Sequence, residues 1–383
     1  MSEARITNLS NESNTGGPTI SGITTFSGAN YFVPPVGTTA ERPENPEPGS
    51  VRFNTDSRHL EFYTGNPNGG WVELEASYNN DGPPESGGYV GFIAGGNDPS
   101  PWTALNTIDY ISIQTMGNSS DFGDLETAKT GKQTMANKTR IIWPGGYTGG
   151  GYQIHISYNN VQSKGNGSDF GDLIQVKTGA SALANSTRGL VGQSQDQNGS
   201  PYYTNIIEYV TIAHTGNTID FGDGQEKGTT YGASSPTRGL WGDLNNSPVK
   251  ITYTTIATKG DTQDFGTTTQ RPYGGASNAV RAIWAGDYFG NTITYSTFST
   301  LGNAIDFGDM DVSRDSPGSA SSPTRGVIIG GRSVPSQLVI PTMTSIEIMT
   351  TGNGVDFGDI SYMTNDTDFS PSIFSGSNGH GGT

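Results

Sequence analysis

The sequence contains no cysteine, which excludes a disulfide framework, a thiolate metal site and a cysteine nucleophile. Its four histidines, His59, His155, His214 and His380, are scattered. None forms an i, i+4 pair or lies near a glutamate in a metalloprotease spacing. Lysine and arginine number 20 against 36 aspartates and glutamates, a formal charge of −16. That balance argues against sequence-independent binding to nucleic acid, because phosphate contacts need clustered cations. It favours solubility and discourages adhesion to anionic surfaces. No apolar run approaches the roughly 18 residues of a membrane span, and residues 1–10 are too polar for a signal peptide.

What is abundant is glycine, 56 of 383 residues, about twice average usage. Leu, Ile, Val and Phe together make up only about 19%, close to the level at which chains fail to fold. Two counts oppose disorder. Charged residues are 15% of the chain, where disordered chains are usually charge-rich. The 17 tyrosines, 15 phenylalanines and 5 tryptophans supply burial that such chains lack. The composition is that of a glycine-punctuated, β-rich fold and not of a helical bundle.

Self-comparison then organises the chain. Asp-Phe-Gly-Asp, or a one-residue variant, occurs six times, at Phe122, Phe170, Phe221, Phe265, Phe307 and Phe357. The separations are 48, 51, 44, 42 and 50 residues, and only Asp264-Phe265-Gly266-Thr267 departs from the pattern. About ten residues upstream of each copy lies an alternating segment, such as 107–113 or 205–212, with like segments around Tyr253, Tyr295 and Ile346. Period-two alternation marks a strand with one buried face. A Gly-Asn or Gly-Asp turn follows in most copies (Gly117-Asn118, Gly216-Asn217, Gly260-Asp261, Gly302-Asn303, Gly352-Asn353). A second, glycine-closed apolar strand precedes the alternating one, beginning at Arg140, Arg188, Arg238, Arg281 and Arg325. It recurs without the arginine at 89–96 and, in fragmentary form, at 370–376.

Two clear strands and room for two more in about 47 residues match one four-stranded propeller blade. The expected fold is therefore all-β: a six-bladed β-propeller over residues 89–383, with seven blades as the alternative. The additional terminal strand would close the ring and leave no open edge.

The diglycine-closed strands resemble kelch-type propeller repeats, although the spaced Tyr and Trp of that motif are only loosely present. The Thr-Arg-Gly strands, Tyr-centred strands and Asp-Phe-Gly-Asp segments together more closely resemble repeat-bearing structural proteins of tailed phages, especially those of marine cyanobacteria. That resemblance spans residues 86–382 and implies a virion protein. Residues 1–76 carry no repeat. There the string 37–43, then Arg52-Phe53-Asn54-Thr55-Asp56 and a Gly-Trp-Val-Glu segment, resemble a small β module common in phage tail-fibre and appendage proteins. It implies a virion-proximal anchor, often trimeric, and the Gly-, Pro- and Asn-rich stretch over 77–88 reads as the linker after it. A module this small buries little area alone, which favours oligomerisation or docking.

Asp-Phe-Gly is similar to the metal-binding motif of protein kinases, but the glycine-rich loop, strand lysine and catalytic loop of that family are missing. The expected role is structural: Asp caps a turn, Phe fills the space between blades, and Gly adopts a conformation other residues avoid. Calcium binding by the aspartates is the alternative, without the Asp-x-Asp-x-Asp-Gly loop it normally uses. Arg140, Arg188, Arg238, Arg281 and Arg325 could form a basic ring. Pairing with the equally numerous carboxylates is the favoured expectation, because a buried arginine must be satisfied. The variable connections between the two clear strands carry Trp102, Tyr147, Tyr152, Tyr202, Tyr203, Tyr288 and Phe289. These would gather on one face of a propeller, where exposed rings suit stacking on sugars or gripping a protein.

The resulting expectation is a non-enzymatic phage appendage protein located in the virion, without a cofactor. Its N-terminal module would bind other virion proteins and its loops a host-surface glycan or protein. A purely structural decoration or baseplate element is the first alternative. A polysaccharide depolymerase, needing two carboxylates about 5–10 Å apart in one cleft, is the second.

Overall fold

The alternating segments, the glycine-closed runs and the Asp-Phe-Gly segments all fold as strands in the structure, a computed structural model. It describes residues 34–57, 59–65, 70–74, 88–98, 103–131, 134–177, 180–192, 194–195, 203–225, 229–243, 248–269, 271–286, 290–333, 339–362 and 374–377. Among these there is no α-helix, and no helix is long and apolar enough to cross a membrane. The chain divides into two units, residues 1–81 and 82–383.

The first unit holds one four-stranded sheet in the order Val36–Gly37, Val51–Asn54, His59–Tyr63, Trp71–Leu74, with the first pair parallel. Its register places Val51, Phe53, Leu60, Phe62 and Val72 on one face and Arg52, Asn54 and Glu61 on the other. The polar face is the buried one. Glu61 accepts from Arg42 at 2.5 Å and from Asn54 at 3.2 Å, and Arg52 donates to the Thr38 carbonyl. The hydrogen bonds from Arg42 hold the Glu61 carboxyl below its ordinary range. The apolar face is only partly covered, with Phe53, Leu60 and Phe62 half-buried and Val51 43% and Val72 40% exposed.

The second unit contains six four-stranded antiparallel sheets. Sheet two runs Met135–Ala136, Arg140–Pro144, His155–Asn160, Ser168–Asp172 from inner to outer strand, and sheet three Ala182–Ala184, Arg188–Val191, Ile206–Thr211, Ile219–Asp223. Sheet four is Thr229–Ser234, Arg238–Asp243, Val249–Thr255, Gln263–Thr268, and sheet five Gly274–Ser277, Arg281–Ala285, Thr292–Thr297, Ile305–Asp309. Sheet six is Gly318–Ser321, Arg325–Ile329, Thr342–Glu347, Val355–Asp359. Sheet one differs in its connectivity. Val90–Ala94, Thr107–Ser112 and Ser120–Asp124 take their inner strand from Phe374–Ser377. The described part of the fragmentary copy, residues 374–376, is thus in an antiparallel partner of the first repeat.

Successive sheets are joined by a recurring set of hydrogen bonds. The glycine of each Gly-Asn or Gly-Asp turn donates its N–H to the Asp-Phe-Gly phenylalanine carbonyl of the preceding sheet: Gly165 to Phe122, Gly216 to Phe170, Gly260 to Phe221, Gly302 to Phe265, Gly352 to Phe307. The series closes with Gly117 to Phe357. The side chain of the next residue then accepts from a backbone N–H of that same outer strand, as Asn217 does from Asp172 and Asn118 from Asp359. At the inner edge Asn137 donates to Ser186 O, Asn185 to Pro236 O and Asn278 to Pro323 O.

The apolar core lies between the sheets. One cluster joins Phe92, Ile108 and Phe122 of sheet one to Ile141 and Trp143 of sheet two. Another joins Ile93 and Ile111 of sheet one to Val327, Met343 and Phe357 of sheet six. The six phenylalanines fill these spaces as expected, and in sheets one to five each meets the third-strand tyrosine edge-on at 5.8–6.2 Å.

Two expectations are corrected. Asp-Phe-Gly-Asp is not a turn but the outer strand of each sheet, with a bulge inside it: Ile156 pairs with Gly171 and Ser157 with Asp169, so Phe170 is the additional residue. Its glycine is needed on two grounds. At Gly308 φ is +148°, and a Cβ there would lie 2.4 Å from the Gly352 carbonyl oxygen. The first aspartate points outward and is exposed. A charged outer strand discourages edge-to-edge pairing with other molecules.

The arginines do not follow the expected carboxylate pairing either. Arg140, Arg188, Arg238 and Arg281 each donate to a backbone carbonyl of the next sheet, at Ile212, Ile256, Phe298 and Ile348. Each guanidinium also stacks on the tyrosine of its own sheet, 4.4–4.7 Å from the ring centroid. Carbonyl and ring together satisfy the cation without a formal anion. Among the described residues Arg325 alone of the five meets a carboxylate, Glu347 at 2.9 Å, besides the Ile113 carbonyl of sheet one. Engaged in this way, the five cations form no free basic ring.

Candidate functional site

The connection between the second and third strands becomes a small two-stranded ribbon in the first three sheets. The ribbons pair Asn97–Asp98 with Thr103–Ala104, Tyr147–Thr148 with Gly151–Tyr152, and Ser194–Gln195 with Tyr203–Thr204. Each leaves its sheet at the same point of the repeat. In the second ribbon Tyr147 and Tyr152 lie directly opposite one another, with ring centroids 5.1 Å apart and a 57° tilt. Tyr147 is 39% exposed. The ribbon is bonded along its outer side by reciprocal backbone bonds of 2.9 Å between Tyr147 and Thr130, and Gln153 ties its turn to Thr148 and Gly151.

Of the candidate residues, the structure brings together Tyr147 and Tyr152. Tyr203 lies in the third ribbon, opposite Gln195. Trp102, Tyr202, Tyr288 and Phe289 lie outside the described residues. Two tilted phenol rings on a braced hairpin offer an apolar platform edged by hydroxyls, suited to a sugar ring or a protein side chain.

The residues that hold the ribbon bases do not stand out in the sequence. Lys129 is buried and donates to the carbonyls of Trp143 and His155, at 3.0 and 3.5 Å. These residues close the second strand and open the third, so the lysine clamps the mouth from which the ribbon emerges. Lys177 does the same at Gly192 and Ile206 and pairs with buried Glu208 at 3.4 Å. Arg314 repeats the pattern at Gly330 and Thr342. A signal does exist: each of these cations stands seven residues after its Asp-Phe-Gly phenylalanine.

Burial pushes the Lys129 ammonium down to about 7, whereas in the unfolded chain it holds its proton to about 10.4. Between those values the unfolded chain carries the additional proton, so this group makes stability rise with pH. The expected result is a urea midpoint that increases from pH 7 to pH 9.5 in the native protein and rises less in Lys129→Met. Equal pH dependence in the two proteins would remove the assignment.

Among the described residues no group of three or more His, Asp or Glu side chains is arranged to hold a metal ion. A cavity of about 270 Å³ lies at the seam of sheets six and one, lined by Met116, Ser345, Glu347, Thr350, Asn353 and Val355 among others. It contains a single carboxylate. No protein-family profile matches the chain, and no curated protein matches it.

Proposed function

We infer that residues 89–383 form a six-bladed, kelch-like β-propeller and that the protein is a non-enzymatic component of a tailed-phage virion. In this reading it is an appendage whose ribbons meet the host surface. The six-blade count is supported by the cycle of hydrogen bonds that returns from sheet six to sheet one. A seventh blade would have to interrupt that cycle.

The observation that carries the recognition role is the tyrosine-bearing ribbon, braced at its base by a buried cation. Variable loops on a rigid scaffold are where binding residues concentrate. The anchoring role is supported by the first unit, whose sheet buries its polar face and leaves its apolar one only partly covered. Such a face needs a partner, either copies of itself in an oligomer such as a trimer or another virion protein. That face equally supports a decoration or baseplate role without receptor binding.

The test is binding of labelled full-length protein to a panel of bacterial strains, beside a Tyr147→Ala/Tyr152→Ala variant. Binding to some strains, weakened at least tenfold in the variant, is the expected result. No binding to any strain would favour the decoration role. Release of reducing sugar from surface polysaccharide would instead mark a depolymerase.

A further inference from the structure

The third strand carries a tyrosine at the same register in five sheets: Tyr110, Tyr158, Tyr209, Tyr253 and Tyr295, opposite Ser120, Ser168, Ile219, Gln263 and Ile305 of the outer strand. In sheet six the position is Ser345, opposite Val355. The cavity at the seam of sheets six and one lies at this serine. It marks the place of a ring that the repeat supplies everywhere else.

The surroundings of the missing ring are largely retained. In sheets two to five the ring is flanked by the arginine of the second strand and the phenylalanine of the outer strand. Sheet six keeps both, as Arg325 and Phe357. With no ring to stack on, Arg325 is held by Glu347, which lines the cavity. The residue just before the Gly-Asn turn of the following sheet provides a cover. Lys164 lies 4.7 Å over Tyr110 and Lys259 5.1 Å over Tyr209. The corresponding residue over sheet six is Met116, which lines the cavity and is 56% exposed. A thioether is a favourable neighbour for an aromatic ring.

We propose that this cavity is a binding socket for a tyrosine side chain presented by another polypeptide. The ring would take the position of the missing tyrosine, against Arg325 and beneath Met116. Three observations favour a tyrosine over a sugar or an aliphatic group: the site is a gap in an array of tyrosines, the arginine that stacks on those rings is kept in sheet six as Arg325, paired with the cavity-lining Glu347, and Ser345, Glu347 and Thr350 provide polar partners for a phenol and its peptide. The exposed rim of Met116 and Val355, the latter 52% exposed, suits a ring carried on a chain that packs over it. This assignment rests on the repeat register and the cavity lining and is independent of the phage reading.

The experiment uses the full-length protein and titrates acetyl-Gly-Tyr-Gly-amide, the corresponding Leu peptide and p-cresol, followed by calorimetry and saturation-transfer NMR. The expected result is saturable binding of one Tyr peptide per chain, at least tenfold weaker binding of the Leu peptide, and p-cresol weaker than the Tyr peptide. Ser345→Tyr fills the socket from within and should abolish binding without lowering the melting temperature. Met116→Ala changes only an exposed side chain and should weaken binding several-fold, so the proposal stays testable if the first variant misfolds. Absence of saturable binding, equal affinity for the Leu peptide, or binding unchanged in both variants would each overturn the socket. Equal affinity for p-cresol and the Tyr peptide would overturn the polypeptide source.

Discussion

Truncation after residue 373 is expected to cost the protein most of its stability. The strand Phe374–Ser377 is the inner strand of sheet one, paired with Val90–Ala94 across the register Phe374↔Ala94 to Ser377↔Gly91. It also packs against the inner strands of sheets six and two. Without it, Val90–Ala94 presents an open inner edge, and the inner-strand neighbours on either side lose their contact. A loss of about 4 kcal/mol or more follows, together with aggregation through the exposed edge. Thermal unfolding and size-exclusion chromatography measure both. Adding a synthetic peptide of residues 371–383 should restore the melting temperature in part, because a strand can be supplied in trans by edge pairing. A truncated protein that melts with the full-length chain would show that closure contributes little.

Gly308→Ala should have the second largest effect, and two companion substitutions separate its causes. Gly308 combines a positive φ of +148° with a Cβ position 2.4 Å from the Gly352 oxygen. Both atoms are backbone-fixed, so relief requires two sheets to move apart and breaks the Gly352 to Phe307 hydrogen bond. Gly352 has a positive φ of +158° but open space where a Cβ would project, leaving backbone strain of about 1 kcal/mol. At Gly266, where no positive φ occurs, a Cβ would lie 2.1 Å from the Gly302 oxygen, leaving steric overlap alone. Chemical denaturation should rank Gly308→Ala worst, at about 3 kcal/mol or more, and Gly352→Ala mildest. A Gly352→Ala protein as destabilised as Gly308→Ala would mean that the close approach of neighbouring sheets is not the constraint.

The parts of this fold legible in sequence are those whose side chains alternate or repeat with bulk. Tyr209 and its neighbours spell a half-buried strand, and the arginine-led runs spell a covered one. Apart from the terminal copy, the inner strands are not legible, because pieces such as Met135–Ala136, Ala182–Ala184 and Gly274–Ser277 are too short to show a period. The outer strand reads as a turn because the bulge interrupts its alternation and its Gly suggests a reversal. The partners of the arginines elude the sequence for a different reason: a backbone carbonyl such as Ile212 O belongs to every residue and leaves no letter to read. At the candidate site, Tyr147 and Tyr152 stand out as aromatics in a variable loop. Lys129 beneath them resembles any surface lysine until its burial is known.

Sheet one also sets a timetable for the chain during synthesis. Its three N-terminal strands emerge early, yet the strand that completes them is made about 250 residues after the last of them. Until then the nascent protein carries an incomplete sheet whose inner edge can pair with any strand nearby, including that of another nascent copy. Closure joins segments far apart in sequence, the kind of contact that forms slowly. The interval between making the first sheet and sealing it is therefore the period in which yield is decided. Shielding of that edge by a chaperone, or slower synthesis at lower temperature, should improve recovery more than any change to the finished surface.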